Sequence, residues 1–131
     1  MIFLSKVNDK ESAIAGLRDS IFNLNYSIHQ FIVNQEWNNS LSLVYYLSDL
    51  RQSLKECYKY DCESDLRVKA IKKILIDIIE ERYLHSRANE NELLNIDAIE
   101  KLQPIFSKIL SNWYDTTELK AVFKKNNIYV N

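Results

Sequence analysis

The stretch Ser64–Arg87, SDLRVKAIKKILIDIIEERYLHSR, decides the fold. Leu66, Ala70, Ile71, Ile74, Leu75, Ile78, Ile79 and Leu84 recur mostly at steps of three and four, the spacing of one helical face. Val68 and Ile76 widen that face, so the helix touches neighbours on more than one side. Lys69, Lys72, Lys73, Asp77, Glu80 and Glu81 mark its wet side. A helix this apolar cannot stand alone in water, and its partners are expected to be other helices of the same chain.

Two such partners precede it. Ile14, Leu17, Ile21, Leu24, Ile28 and Phe31 follow at steps of 3, 4, 3, 4 and 3, a seam typical of long helices packed nearly antiparallel. Phe22 and Ile32 are expected to broaden it. Asn8 with Glu11 three residues on reads as a capping box, which starts this helix at about residue 9. The apolar MIFLSKV before it is either an extended arm or a first helical turn. QEWNNS breaks the pattern with turn residues at Asn38, Asn39 and Ser40. Leu43, Leu47, Leu50, Leu54 and Cys57 then repeat the seam, with Val44 and Tyr58 beside it. Asp61 or Ser64 is expected to cap the central helix.

After it, SRANEN reads as a loop, and Asn89 or Asn91 as the start of a short turn through Leu94. Asp97 with Glu100 gives a second capping signature. Ile99, Leu102, Ile105, Phe106, Ile109, Leu110 and Trp113 continue at helical spacing, interrupted by Pro104. Either the helix kinks there, or it ends at Gln103 and another begins with Pro104 in its first turn. Asp115 and Glu118 open a last short helix, and NNIYVN ends the chain in extended form. The expectation is an all-α bundle of five helices, at about 9–35, 41–60, 64–86, 96–113 and 116–125, in a single domain over 1–131.

Composition agrees. One glycine and one proline in 131 residues leave few tight turns of the kind sheets need. Apolar residues make up 47% and charged residues 27%, enough for a core and a soluble surface. The net charge of -1 gives no global field to attract nucleic acid or an anionic membrane. No run of 18 uninterrupted apolar residues occurs, and the start lacks the pattern of a signal peptide. The expected location is the cytosol, where Cys57 and Cys62 read as reduced thiols. The two seams at 14–31 and 43–57 can pair within the chain or between two chains, and the short connecting loop favours an antiparallel hairpin within the chain, with the oligomeric state left open.

Catalytic and cofactor arrangements are missing from the sequence. Gly16, the one glycine, sits inside a helical pattern, so there is no phosphate-cradling loop. There is no nucleophile elbow, no HExxH and no Glu-x-x-His pair. Glu81 and His85 share a helical face but are two ligands only, too few for a metal. His29, beside the seam, reads as a partly buried, hydrogen-bonded histidine. Cys57 reads as a small core residue, and Cys62, in an acidic loop, as a thiol whose pKa is not lowered. No cofactor is expected, and the protein reads as a non-enzyme.

A binding surface is the remaining reading. Tyr58 and Tyr60 are followed at once by Asp61, Glu63 and Asp65. Tyrosines supply apolar bodies with polar tips, and carboxylates steer a basic partner, so these five residues form a candidate protein-docking patch. The structural alternative is that the tyrosines close the bundle's edge and the acids cap the next helix. Lys120, Lys124 and Lys125, with Lys69, Lys72 and Lys73, are basic clusters that read as solvated faces.

In size, all-helical pattern, Asn/Ile/Lys-rich composition and the stretch ECYKYDCESD at 56–65, the chain resembles small helical immunity proteins. Bacteria pair these with toxin domains, including those of contact-dependent growth inhibition systems. The resemblance covers the whole chain and carries no residue role. It implies a protein that binds a cognate toxin domain and blocks it without catalysis. The alternative is a small helical regulatory or nucleic-acid-associated protein of phage or mobile-element origin, acting through Lys120, Lys124 and Lys125.

Overall fold

The computed structural model describes residues 2–34, 37–76 and 96–130, and the side chains of 9–34, 41–76 and 100–130. Among the described residues all regular structure is helical. Five helices run in order: α1 Ile2–Val33, α2 Trp37–Lys59, α3 Leu66–Ile74, α4 Ile96–Ser111 and α5 Thr116–Lys125. The chain is an all-α bundle, as its periodicity requires.

Packing follows the seams. Leu17, Ile21, Leu24, Ile28 and Phe31 of α1 are buried, as are Leu43, Leu47, Leu50, Leu54 and Cys57 of α2. They join Val68, Ile71 and Ile74 of α3, Leu102, Phe106 and Ile109 of α4, and Leu119 and Phe123 of α5 in one apolar cluster. Bonds across the helices fix their directions. Ser20 Oγ donates to Asp49 Oδ2 at 2.8 Å, and Cys57 Sγ lies 3.4 Å from the Ala13 carbonyl, so α2 runs antiparallel to α1. Asn25 Nδ2 donates to Ser107 Oγ at 3.1 Å and Gln103 Nε2 to His29 Nδ1 at 3.2 Å, so α4 also runs antiparallel to α1.

Several helix ends differ from the expectation. α1 begins at Ile2, so Asn8 lies inside it. A capping box is a local option that loses where no proline or glycine stops the preceding backbone from turning helical. Likewise α2 begins at Trp37, which puts Asn38, Asn39 and Ser40 in its first turn. Poor helix formers are tolerated there because the first amides lack intrahelical partners anyway. Asp97 sits inside α4. The cap of α3 is Asp65, in place of Asp61 or Ser64, and its carboxylate accepts from the Arg67 amide at 2.8 Å.

Pro104 lies inside one continuous helix that ends at Ser111. Pro104 is exposed and so is Glu100, whose carbonyl loses its bond; water can hydrate it there. Phe22 does not broaden the core: it is 60% exposed. Its position on α1 turns it away from α2. Past α3, Leu75 and Ile76 form a wider, π-type turn. Ile78, Ile79, Leu84, the Glu81–His85 pair, the SRANEN loop and the turn to Leu94 lie outside the described residues, as does the side chain of Ile99. The tail is not free, because Ile128 is buried and Val130 packs on the core. Among the described residues no helix is long and apolar enough to cross a membrane.

Candidate functional site

The corner between α2 and α3 carries the five residues singled out in the sequence. α2 stops at a left-handed residue, Asp61, with φ of 60°. The Asp61 amide donates to the Tyr58 carbonyl at 3.2 Å and the Cys62 amide to the Cys57 carbonyl at 2.8 Å. This pair of bonds is the Schellman ending, in which a left-handed residue turns the chain and the next one folds back on the helix. Cys62 is accordingly buried beside Cys57. Three residues later Asp65 caps α3, and its carboxylate takes a forked pair of bonds from Arg67, Nε at 3.0 Å and Nη2 at 2.9 Å. Stop, turn and cap together hold the segment in one shape.

The five residues meet different fates. Asp61 and Glu63 are exposed. Asp65 is half-buried and committed to Arg67. Tyr58 is 40% exposed, with Lys72 Nζ 5.1 Å from its ring centre. Tyr60 packs against the core edge, with Lys59 Nζ 5.3 Å from its ring. The structural alternative is thus realised for Tyr60 and Asp65, which close the bundle edge and cap a helix. Tyr58, Asp61 and Glu63 keep surface to offer.

Beside this corner opens a groove of about 660 Å³, lined by Glu11, Asp61, Asp65, Arg67, Trp113 and Tyr114 among others. Tyr114 is 82% exposed. Glu11, Trp113 and Tyr114 belong to distant segments that packing brings to the corner. Only the aromatic pair Trp113–Tyr114, adjacent to the acid Asp115, carried a hint of this in sequence. Arg67 joins the parts: its guanidinium lies 5.0 Å over the Trp113 ring, and Nη1 donates to the Trp113 carbonyl at 3.2 Å.

Burial first, then the Cys62 thiol, Asp65 and Glu56, push the Cys57 thiol up to about 12. Burial pushes the Cys62 thiol up as well; Lys10 opposes it, and Asp65, Glu63 and Asp61 add to it. Neither is poised as a nucleophile. For Asp65, burial raises the carboxyl, but the hydrogen bonds and charge of Arg67 outweigh it and hold the group below its ordinary value. Among the described residues no three His, Cys, Asp or Glu side chains are grouped to hold a metal. His29 is exposed, contrary to expectation, though hydrogen-bonded to Gln103. Lys120, Lys124 and Lys125 are exposed on α5, and the last two sit in its final turn, where cations complement the helix dipole.

Compared with protein-family models, curated proteins and solved structures, the chain matches none.

Proposed function

We propose that this protein is a non-enzymatic binding module, an immunity- or antitoxin-type inhibitor that neutralises a cognate toxin domain in the cytosol. The observation that carries the reading is the fixed, acid-rich α2–α3 corner. Asp61 and Glu63 are exposed there, Asp61 lines the groove with Glu11 and Lys10, and the exposed Tyr114 ring stands at the same groove. Carboxylates left open on a rigid turn give fast, oriented encounter with a basic surface, and aromatic rings supply contact area at low entropic cost. A preordered corner also avoids the loop-ordering cost of binding.

The test begins with capture of the tagged protein from its host with co-encoded neighbours expressed. The expected result is one stoichiometric polypeptide that is toxic alone and harmless when co-expressed. The double variant D61N/E63K should then weaken that complex at least tenfold, about 1.4 kcal/mol, with no loss of thermal stability. Asparagine tolerates the left-handed conformation at 61, so the turn survives. Unchanged affinity would remove the corner as the interface. Recovery of nucleic acid, or of no second polypeptide, would sink the inhibitor reading.

A further inference from the structure

The chain has two cysteines, and the fold brings both to one turn. Cys57 is 0% exposed and Cys62 7% exposed, and both are free thiols. The Schellman ending of α2 sets them side by side, because the Cys62 amide donates to the Cys57 carbonyl at 2.8 Å. With standard bond lengths that contact holds the two Cα atoms within about 6.7 Å of each other, and a disulfide accepts about 4.4–6.8 Å. The side chains also point one way. Cys57 Sγ lies 3.4 Å from the Ala13 carbonyl and Cys62 Sγ 4.0 Å from the Lys10 carbonyl, two oxygens one helical turn apart on α1.

Packing alone would be served by any apolar pair at these positions. The matching ending of α5 has one: Phe123 and Ile128 are joined by the same bond at 2.8 Å, and both are buried. At α2 the pair consists of thiols. Cys62 lines the groove beside the corner, whereas Cys57 is closed off from solvent. A reagent entering the groove therefore meets Cys62 first and reaches Cys57 only through it.

We propose that Cys57 and Cys62 form a reversible disulfide that locks the α2–α3 corner, by exchange with a small-molecule disulfide that enters the groove. Cys62 gives up its proton, and its sulfur bonds to one sulfur of the reagent, whose own S–S bond breaks and releases one thiol. Cys57 then gives up its proton, its sulfur bonds to Cys62 Sγ, and the second half of the reagent leaves as a thiol. The chain loses two electrons and two protons, and the reagent takes up both as it becomes two thiols. No buried acceptor is orphaned: Lys10 and Ala13 lie inside α1, so their carbonyls keep their helical bonds when the thiol hydrogens go. The bridge closes a ring over residues 57–62 around the left-handed Asp61, so this end of α2 can no longer fray. Burial keeps both sulfurs as thiols at neutral pH, which makes the exchange slow there. The lock is independent of the inhibitor reading.

The test is equilibration of the full chain with mixtures of reduced and oxidised glutathione at about pH 8.5, started from the reduced and from the oxidised protein, with and without urea. Lys59 lies between the cysteines, so trypsin releases residues 56–59 and 60–67 as separate peptides unless a disulfide joins them. The expected product of the folded chain is a monomer about 2 Da lighter, with those two peptides joined until they are reduced. The bond should also be at least tenfold harder to reduce in the folded chain than in the urea-unfolded one, since a disulfide that fits the fold stabilises it. A persistent glutathione adduct, a disulfide between two chains, or two free thiols at every mixture overturns the proposal. A bond that is reduced as easily in the folded chain as in urea overturns it too, because the fold would then be holding the sulfurs apart.

Discussion

Two residues sit where glycine is usual. Asp61 has φ of 60° and Asn127 has φ of 59°, each two residues past the last residue of a helix. The second repeats the first bond for bond: the Asn127 amide donates to the Lys124 carbonyl at 3.2 Å and the Ile128 amide to the Phe123 carbonyl at 2.8 Å. The left-handed region costs an ordinary L-residue about 1–2 kcal/mol, less for Asn and Asp. Meanwhile the one glycine, Gly16, lies inside α1, where an added Cβ would meet nothing within 4 Å. Scarcity of glycine argued for helices joined by Asn, Ser and Asp turns, and positions 61 and 127 are where that argument becomes geometry. D61G is therefore expected to stabilise the fold by about 0.5–1 kcal/mol and N127G by less, since asparagine bears this conformation better. Urea unfolding measures both. A loss of stability in D61G would mean that the aspartate contributes more than its backbone costs.

At the scale of elements, α1 and α2 are held in register by a short polar chain inside an apolar seam. Ser20, 3% exposed, donates to Asp49 Oδ2 at 2.8 Å, which leaves its oxygen to accept from the Ser53 hydroxyl. The seams themselves were legible, because steps of three and four mark a face whatever covers it. What covers a face was not. Phe22 joined the apolar pattern and still faces solvent, since periodicity reports direction along a helix and not the presence of a neighbour. Helix ends were read one signature at a time, at Asn8, Ser64 and Asp97, and each lost to its surroundings. Asp65 outcompeted Ser64 because Arg67, two residues on, grips the same carboxylate. Interior serines carried no signal, having no period of their own. S20A should cost about 1 kcal/mol, and S20A/S53A should cost less than the sum of the single changes, because both hydroxyls belong to one chain of bonds. Strict additivity in that cycle would show that the two serines act independently.

Across the whole molecule, one side chain ties together segments far apart in sequence. Arg67 bonds the α3 cap, lies over Trp113 and bonds its carbonyl just past α4. The acids of the candidate site were visible as neighbours in sequence, but their groove was not, because its other wall arrives through this contact. The clamp has a pH signature. Asp65 is held below its ordinary value in the folded chain, so its contribution is complete above the unfolded carboxyl value of about 4. It is lost as pH falls through the lower, folded value. R67A removes the group that holds Asp65 down, leaving burial to push the carboxyl the other way. At neutral pH R67A is expected to cost about 1–3 kcal/mol, toward the lower end because water partly screens the pair. Below about pH 4 the gap between wild type and R67A should narrow, since only the wild type has that stabilisation to lose. Urea midpoints at several pH values measure the gap. If it stays constant down to low pH, Arg67 holds the corner by stacking on Trp113 and not by its bond to Asp65.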